Sequence, residues 1–205
     1  MNKIFIIGFN KTASTSLHRL FKDSHIPSIH WDFGRLAKTM MLNIQNQKKI
    51  FDSYDKDYIV FSDMVLEIPE LRFDGNFYFD RMNKDYPDSL FIYNFRNVDD
   101  WVKSRIIHYN RVKIDGWRLI DLELKRLNTT SINELIKVWV SQRERLELLL
   151  ENYFALERKG KLLKIDIQDN DIVKKISFFT GINLDQNLWG KYNVTSINKI
   201  DFVSD

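Results

Sequence analysis

The sequence predicts an α/β protein: a three-layer arrangement with a mainly parallel sheet and helices on both faces. Three observations carry this. Short apolar runs recur between longer segments of helical period. The first of those runs does not alternate polar and apolar residues, as expected of a strand covered on both faces. Strands that alternate with helices also close most simply into a parallel sheet.

The elements follow in order. Residues 4–8, IFIIG, read as the first strand, and residues 14–24 as a helix with Leu17, Leu20 and Phe21 on one side. Residues 58–62, YIVFS, make a second strand. Residues 90–95, LFIYNF, make a third, announced by the turn signal YPD. Residues 98–109 read as helix. A long helical pattern spans 130–158, with Ile132, Leu135, Trp139, Leu146, Leu149, Tyr153 and Leu156 at three- and four-residue steps. Arg143 interrupts that stripe, and Gly160 is the expected stop. LLKIDI at 162–167 is a fourth strand, and 171–180 a short helix ended by Gly181.

Bulk properties bound the function. The 205 residues suit one compact domain over 1–205, and three prolines and seven glycines without clustering give no sign of a linker. A net charge of +3, from 31 basic and 28 acidic residues, argues against a nucleic-acid binder with a broad basic face, though not against a local basic pocket. With no cysteine there are no disulfides or thiolate metal sites. The opening apolar run is shorter than a signal-peptide core of about 7–15 residues and a span of about 20. The expectation is a soluble, cytoplasmic protein without a membrane span.

The stretch GFNKTASTSL, at 8–17, carries the first chemical signal. A turn from a strand into a helix leaves backbone N–H groups unpaired at the positive end of the helix dipole, which favours an anion. Lys11 adds a full charge. Thr12, Ser14, Thr15 and Ser16 add hydroxyls, more than one helix cap requires. The nucleotide-triphosphate loop G-x-x-x-x-G-K-[ST] fits poorly, because Phe5 and Asn10 stand where its glycines belong. The plain alternative is a capped helix with a stray lysine.

A second signal is LFIYNFRNVDDWVKS. Arg96 follows a strand, so its guanidinium is placed to grip a phosphate through paired hydrogen bonds, and Ser104 lies about two helical turns further on. The alternative for Arg96 is a surface ion pair with Asp99 or Asp100.

Together these residues resemble the sulfotransferases that use 3′-phosphoadenosine 5′-phosphosulfate (PAPS). GFNKTASTSL is similar to their 5′-phosphosulfate loop, with Ala13 where a glycine is usual and Ser14 where a threonine is usual. Alanine fits there only with a negative φ. The segment from Arg96 to Ser104 is similar to their 3′-phosphate segment, with Val98 where a proline is usual. Weaker echoes lie in LLKIDI, FFTGI and KYNVTSIN.

The resemblance implies a P-loop-like fold and transfer of a sulfuryl group from PAPS to an acceptor hydroxyl or amine, the acceptor being a small molecule or carbohydrate. It implies PAPS contacts from Lys11, Thr12, Ala13, Ser14, Thr15, Ser16, Arg96 and Ser104, with Lys11 stabilising the leaving phosphate and no metal. Asp63, just after YIVFS, is the first candidate for the base that takes the acceptor's proton, with His30 second and Glu67 third. A turn carboxylate or a partner of Lys11 is the alternative for Asp63. His18, His25 and His108 read as surface or core. Trp31, Tyr109 and Trp117 are candidate stacking surfaces, with core packing as the alternative. The segment 105–129 is either acceptor-shaping or a helical hairpin on the surface. A P-loop kinase or hydrolase, and a non-catalytic nucleotide binder of the same fold, remain the rival readings.

Overall fold

The computed structural model describes residues 2–190. KYNVTSIN, at 191–198, lies outside the described residues. Strand β1 (Ile4–Ile6) leads through a loop into helix α1 (Ser14–Asp23). Strand β2 (Ser28–His30) and helix α2 (Arg35–Gln45) follow, then β3 (Val60–Ser62). A hairpin of β4 (Val65–Ile68) and β5 (Leu71–Asp74) precedes α3 (Phe79–Asp85) and β6 (Leu90–Phe95). Helix α4 (Val98–Arg111) leads to a small hairpin, β7 (Lys113–Ile114) and β8 (Trp117–Arg118), and then to α5 (Leu119–Leu127). Helix α6 (Ile132–Tyr153), β9 (Leu162–Asp166) and α7 (Ile172–Thr180) complete the described chain.

Five strands form one sheet in the order β2-β3-β1-β6-β9, and every pairing in it is parallel. The direction of strand addition reverses at β1, which lies between β3 and β6. Such a reversal opens a crevice at the carboxyl edge of the sheet.

Successive residues of the central strands face opposite sides, and both sides are covered. Ile4, Ile6, Val60 and Ile92 pack with Leu17, Leu20 and Phe21 of α1 and with Ile172, Val173 and Ile176 of α7. Phe5, Phe61, Phe91 and Tyr93 point the other way, onto Met40 of α2, Met82 of α3, and Leu135, Leu146 and Leu150 of α6. This is why the strands read as unbroken apolar runs.

Two expectations need correction. Helix α6 ends at Tyr153, well before Gly160, because Phe154 turns into the core against Phe91 at 4.8 Å. Its buried stripe is Leu135, Trp139, Leu146 and Leu150, whereas Leu149 and Ile132 are exposed. In the segment 105–129, α4 runs to Arg111 and the β7–β8 hairpin leads into α5, whose Leu119, Ile120 and Leu122 are buried.

Candidate functional site

The loop after β1 is held from below by one side chain. Asn94, fully buried on β6, accepts from the Gly8 N–H at 2.9 Å. Its amide donates to the Thr12 carbonyl at 2.5 Å and to the Thr12 hydroxyl at 2.8 Å. A Cβ on Gly8 would lie 2.3 Å from the Asn94 carbonyl oxygen, so only glycine allows this approach. From α4, the Trp101 indole N–H donates to the Asn10 carbonyl at 2.9 Å.

Within the loop, Lys11 (φ 72°) and Ala13 (φ 63°) are left-handed on either side of Thr12. Alternation of this kind turns successive N–H groups inward as an anion-binding nest. Ala13 thus does not meet the condition of a negative φ: alanine carries the conformation that glycine adopts freely. Ala13 is also the N-cap of α1 and offers no side-chain cap, so capping hydroxyls do not occupy the first turn of that helix.

The hydroxyls divide into different roles. Thr12 donates its one hydroxyl hydrogen to the Phe9 carbonyl at 2.6 Å and is buried, so its hydroxyl closes the loop. Ser14 and Ser16 are buried at the start of α1. Thr15 is half-buried, with its hydroxyl 3.2 Å from Nε2 of His30.

Lys11 is half-buried. Its pKa is lowered by burial; Asp63 opposes that shift, and the charges of Arg96 and Arg111 reinforce it. Lys11, Arg96 and Asp63 thus meet at the carboxyl edge of the sheet, from the ends of β1, β6 and β3. Arg96 keeps a loose contact with Asp100 at 3.7 Å, while its Nε is buried without a partner. Its backbone is fixed by Arg143, which donates to the Arg96 carbonyl at 2.9 Å and to Glu147 at 3.0 Å. The cation that interrupts the α6 stripe is therefore a brace for the arginine of the second motif.

Ser104 is half-buried on α4. At helical spacing it shares a face with His108 and Arg111. His108 has its pKa lowered to about 4 by burial, then by Lys11 and Arg105. Sequence reasoning set His108 aside and overlooked Arg111; the 104, 108, 111 spacing was the available signal.

Asp63 has a left-handed backbone (φ 54°) and a side chain 20% exposed. Burial raises its pKa to about 7; Glu67 and Asp74 add to the rise and Lys11 opposes it. Its Oδ2 lies 3.5 Å from Nε2 of His30. His30 itself is lowered to about 4 by burial and by His18, with which it stacks at 5.4 Å.

The third candidate base is committed elsewhere. Glu67 accepts from the Tyr109 hydroxyl at 2.9 Å and pairs with Arg72 at 3.1 Å. Arg72 also faces Asp74 and Glu123, each at 3.7 Å. Arg105 donates to Tyr109 at 3.0 Å and lies 4.4 Å over the Trp139 ring. Tyr109 is fully buried in this network and offers no stacking surface, whereas Trp31 and Trp117 are exposed.

No family model matches the chain, and no curated protein matches it. Among solved structures, a gluconokinase from Sinorhizobium meliloti 1021 is similar over 88% of this chain and 91% of its own, with 10% identity and a TM-score of 0.41. The strand order and the lysine-bearing loop between β1 and α1 define the class on their own: a P-loop-like α/β fold. Among the described residues no helix is long and apolar enough to cross a membrane.

Proposed function

We propose that the chain is a PAPS-dependent sulfotransferase. The observation that carries this reading is the pairing of two anion-seeking groups at one sheet edge. The nest with Lys11 suits the 5′-phosphosulfate, and the guanidinium of Arg96, with its unpartnered buried Nε, suits the 3′-phosphate. A buried donor without a partner is costly, and a charge-assisted bond to a phosphate would relieve that cost.

The donor supplies the sulfuryl group; the residues hold and polarise it. Lys11 is placed to stabilise charge on the leaving phosphate, helped by low local dielectric. In this reading the N–H groups of residues 11–14, with Ser14, Thr15 and Ser16, hold the same anion. Ser104 is assigned to the 3′-phosphate with Arg96. Asp63 takes the proton of the acceptor hydroxyl or amine; a carboxylate that titrates near 7 suits a base working at neutral pH. The acceptor is a small molecule or a carbohydrate.

The rival is a P-loop kinase or hydrolase using magnesium. In that chemistry the hydroxyl after the loop lysine binds the metal. Here the Thr12 hydroxyl accepts from Asn94 and donates to Phe9, which speaks against that role.

Isothermal titration separates the readings. Adenosine 3′,5′-bisphosphate is expected to bind in the presence of a chelator. Binding of ATP with magnesium, and none of the bisphosphate, would replace this reading with the kinase one. Bisphosphate binding without sulfation of any acceptor in a broad panel would leave a nucleotide-binding protein of the same fold.

A further inference from the structure

Ser62 is fully buried at the end of β3, and its hydroxyl has two neighbours. The Ile29 carbonyl accepts from it at 3.2 Å, and Nδ1 of His30 lies 2.9 Å away. A carbonyl only accepts, and a serine hydroxyl has one hydrogen. With both contacts made as hydrogen bonds, that hydrogen goes to Ile29, and Nδ1 of His30 carries the proton that it donates to Ser62. Neutral imidazole has one N–H, which leaves Nε2 with a bare lone pair.

Nε2 points toward the candidate site. Asp63 Oδ2 lies 3.5 Å from it and Thr15 Oγ1 3.2 Å. A lone pair facing an ionised carboxylate repels it, whereas the same lone pair facing a protonated carboxyl accepts a hydrogen bond. The 3.5 Å separation is long for such a bond, as catalytic contacts often are before substrate is bound. The ring is held in plane by His18, stacked on it and bonded through Nδ1 to Ser28 at 2.8 Å.

We infer that Ser62 and His30 are positioning residues for Asp63: Ser62 fixes the imidazole as the Nδ1–H form, and its Nε2 accepts a hydrogen bond from the Asp63 carboxyl once that group has taken the acceptor's proton. This rests on Asp63 being the base. The balance is simple: the acceptor's O–H or N–H bond breaks, the O–H bond of Asp63 forms, and the proton stays on Asp63, hydrogen-bonded to Nε2. Hydrogen bonding to the neutral form of an acid makes its carboxylate a stronger base. The other charged groups facing Asp63 are Lys11 from the loop, Glu67 from β4 and Asp74 from β5; His30 faces His18 on α1.

The test is nuclear magnetic resonance on the full chain without ligand. Nitrogen-15 shifts of labelled histidine are expected to show His30 neutral and protonated on Nδ1 at pH 7.5; the Nε2–H form would overturn the proposal. Carbon-13 titration of Asp63 gives a second readout. Ser62→Ala frees the ring to place a proton on Nε2 and donate to the carboxylate. His30→Asn keeps a donor for Ser62 but does not reach Asp63. Each is expected to lower the midpoint of Asp63 by up to about one pH unit, the scale of one hydrogen bond. An unchanged midpoint in both folded variants means a purely structural role and overturns the proposal. None of these readouts uses PAPS or an acceptor, so the bisphosphate titration fails or succeeds separately.

Discussion

The carboxamide of Asn94 spans from β6 to Thr12 and binds both its carbonyl and its hydroxyl, while taking the Gly8 N–H on its oxygen. One buried side chain thus sets the loop's height above the sheet. Asn94→Ala should destabilise the fold by about 2–3 kcal/mol, since it strands buried polar groups. It should also weaken binding of the bisphosphate. Urea unfolding and calorimetry on the same variant check both; a stable variant with unchanged binding would mean that the loop is held by other contacts.

Arg143 couples the support of Arg96 to the stability of the fold. It is a buried cation whose guanidinium holds the Arg96 carbonyl and lies 5.6 Å from the Trp101 ring centre. Removing one partner of a buried ion pair is costly, because Glu147 and the Arg96 carbonyl both lose their donor. Arg143→Met is therefore expected to lower stability by about 1–3 kcal/mol while Arg96 loses its brace. Bisphosphate affinity should fall several-fold, less than the loss of about 1.5–3 kcal/mol expected for Arg96→Ala. Equal losses in the two variants would show that Arg143 does more than position Arg96.

Much of this was legible in the sequence because the signals were local. The strands β1, β3, β6 and β9 are apolar runs, and Lys11 and Arg96 each stand just beyond one. Strand β2 was missed because three residues, SIH, show no period, and the β4–β5 hairpin because its pattern is broken by charged residues. Arg143 looked like a flaw in an amphipathic stripe, since its partner is 47 positions away in sequence. The commitment of Glu67 and Tyr109 to a buried network was hidden for the same reason: Arg72, Arg105 and Glu123 meet them only in three dimensions.

Ala13 stores strain in the loop. A left-handed φ costs a non-glycine residue about 1–2 kcal/mol, partly offset by the greater freedom of glycine in the unfolded chain. Ala13→Gly should accordingly raise stability by about 0.5–1 kcal/mol, read by urea unfolding. Bisphosphate affinity is expected to hold or improve, because the N–H groups keep their directions. A destabilised variant would mean that the methyl group makes packing contacts worth more than the strain.

Lys11 is a cation half-removed from water and faced by Arg96 and Arg111. Its folded pKa lies below the unfolded value, so the charged form is disfavoured by folding at neutral pH. Lys11→Met should raise the melting temperature of the ligand-free chain and abolish sulfuryl transfer. Thermal unfolding and a transfer assay on one sample test this. A lower melting temperature would show that the attraction to Asp63 outweighs burial.

Asp63 predicts a pH signature with a definite sign. Its pKa rises from 3.8 in the unfolded chain to about 7 in the fold. Between those values the native state holds a proton that the unfolded chain has released, so this group's contribution to stability declines as pH rises from about 4 to about 7, then levels off. His30 acts in the opposite sense over part of the same window. It falls from 6.5 to about 4 on folding, so its contribution is lost as pH drops through that interval. Subtracting the wild-type curve from that of Asp63→Asn isolates the carboxyl: the variant should gain relative stability steadily between pH 4 and pH 7 and hold the gain above it. The same ionisation should set the acid limb of transfer, with kcat/KM rising toward pH 7 in the wild type. A flat difference curve would mean an ordinary carboxylate at 63, and the base would then have to be sought at His30.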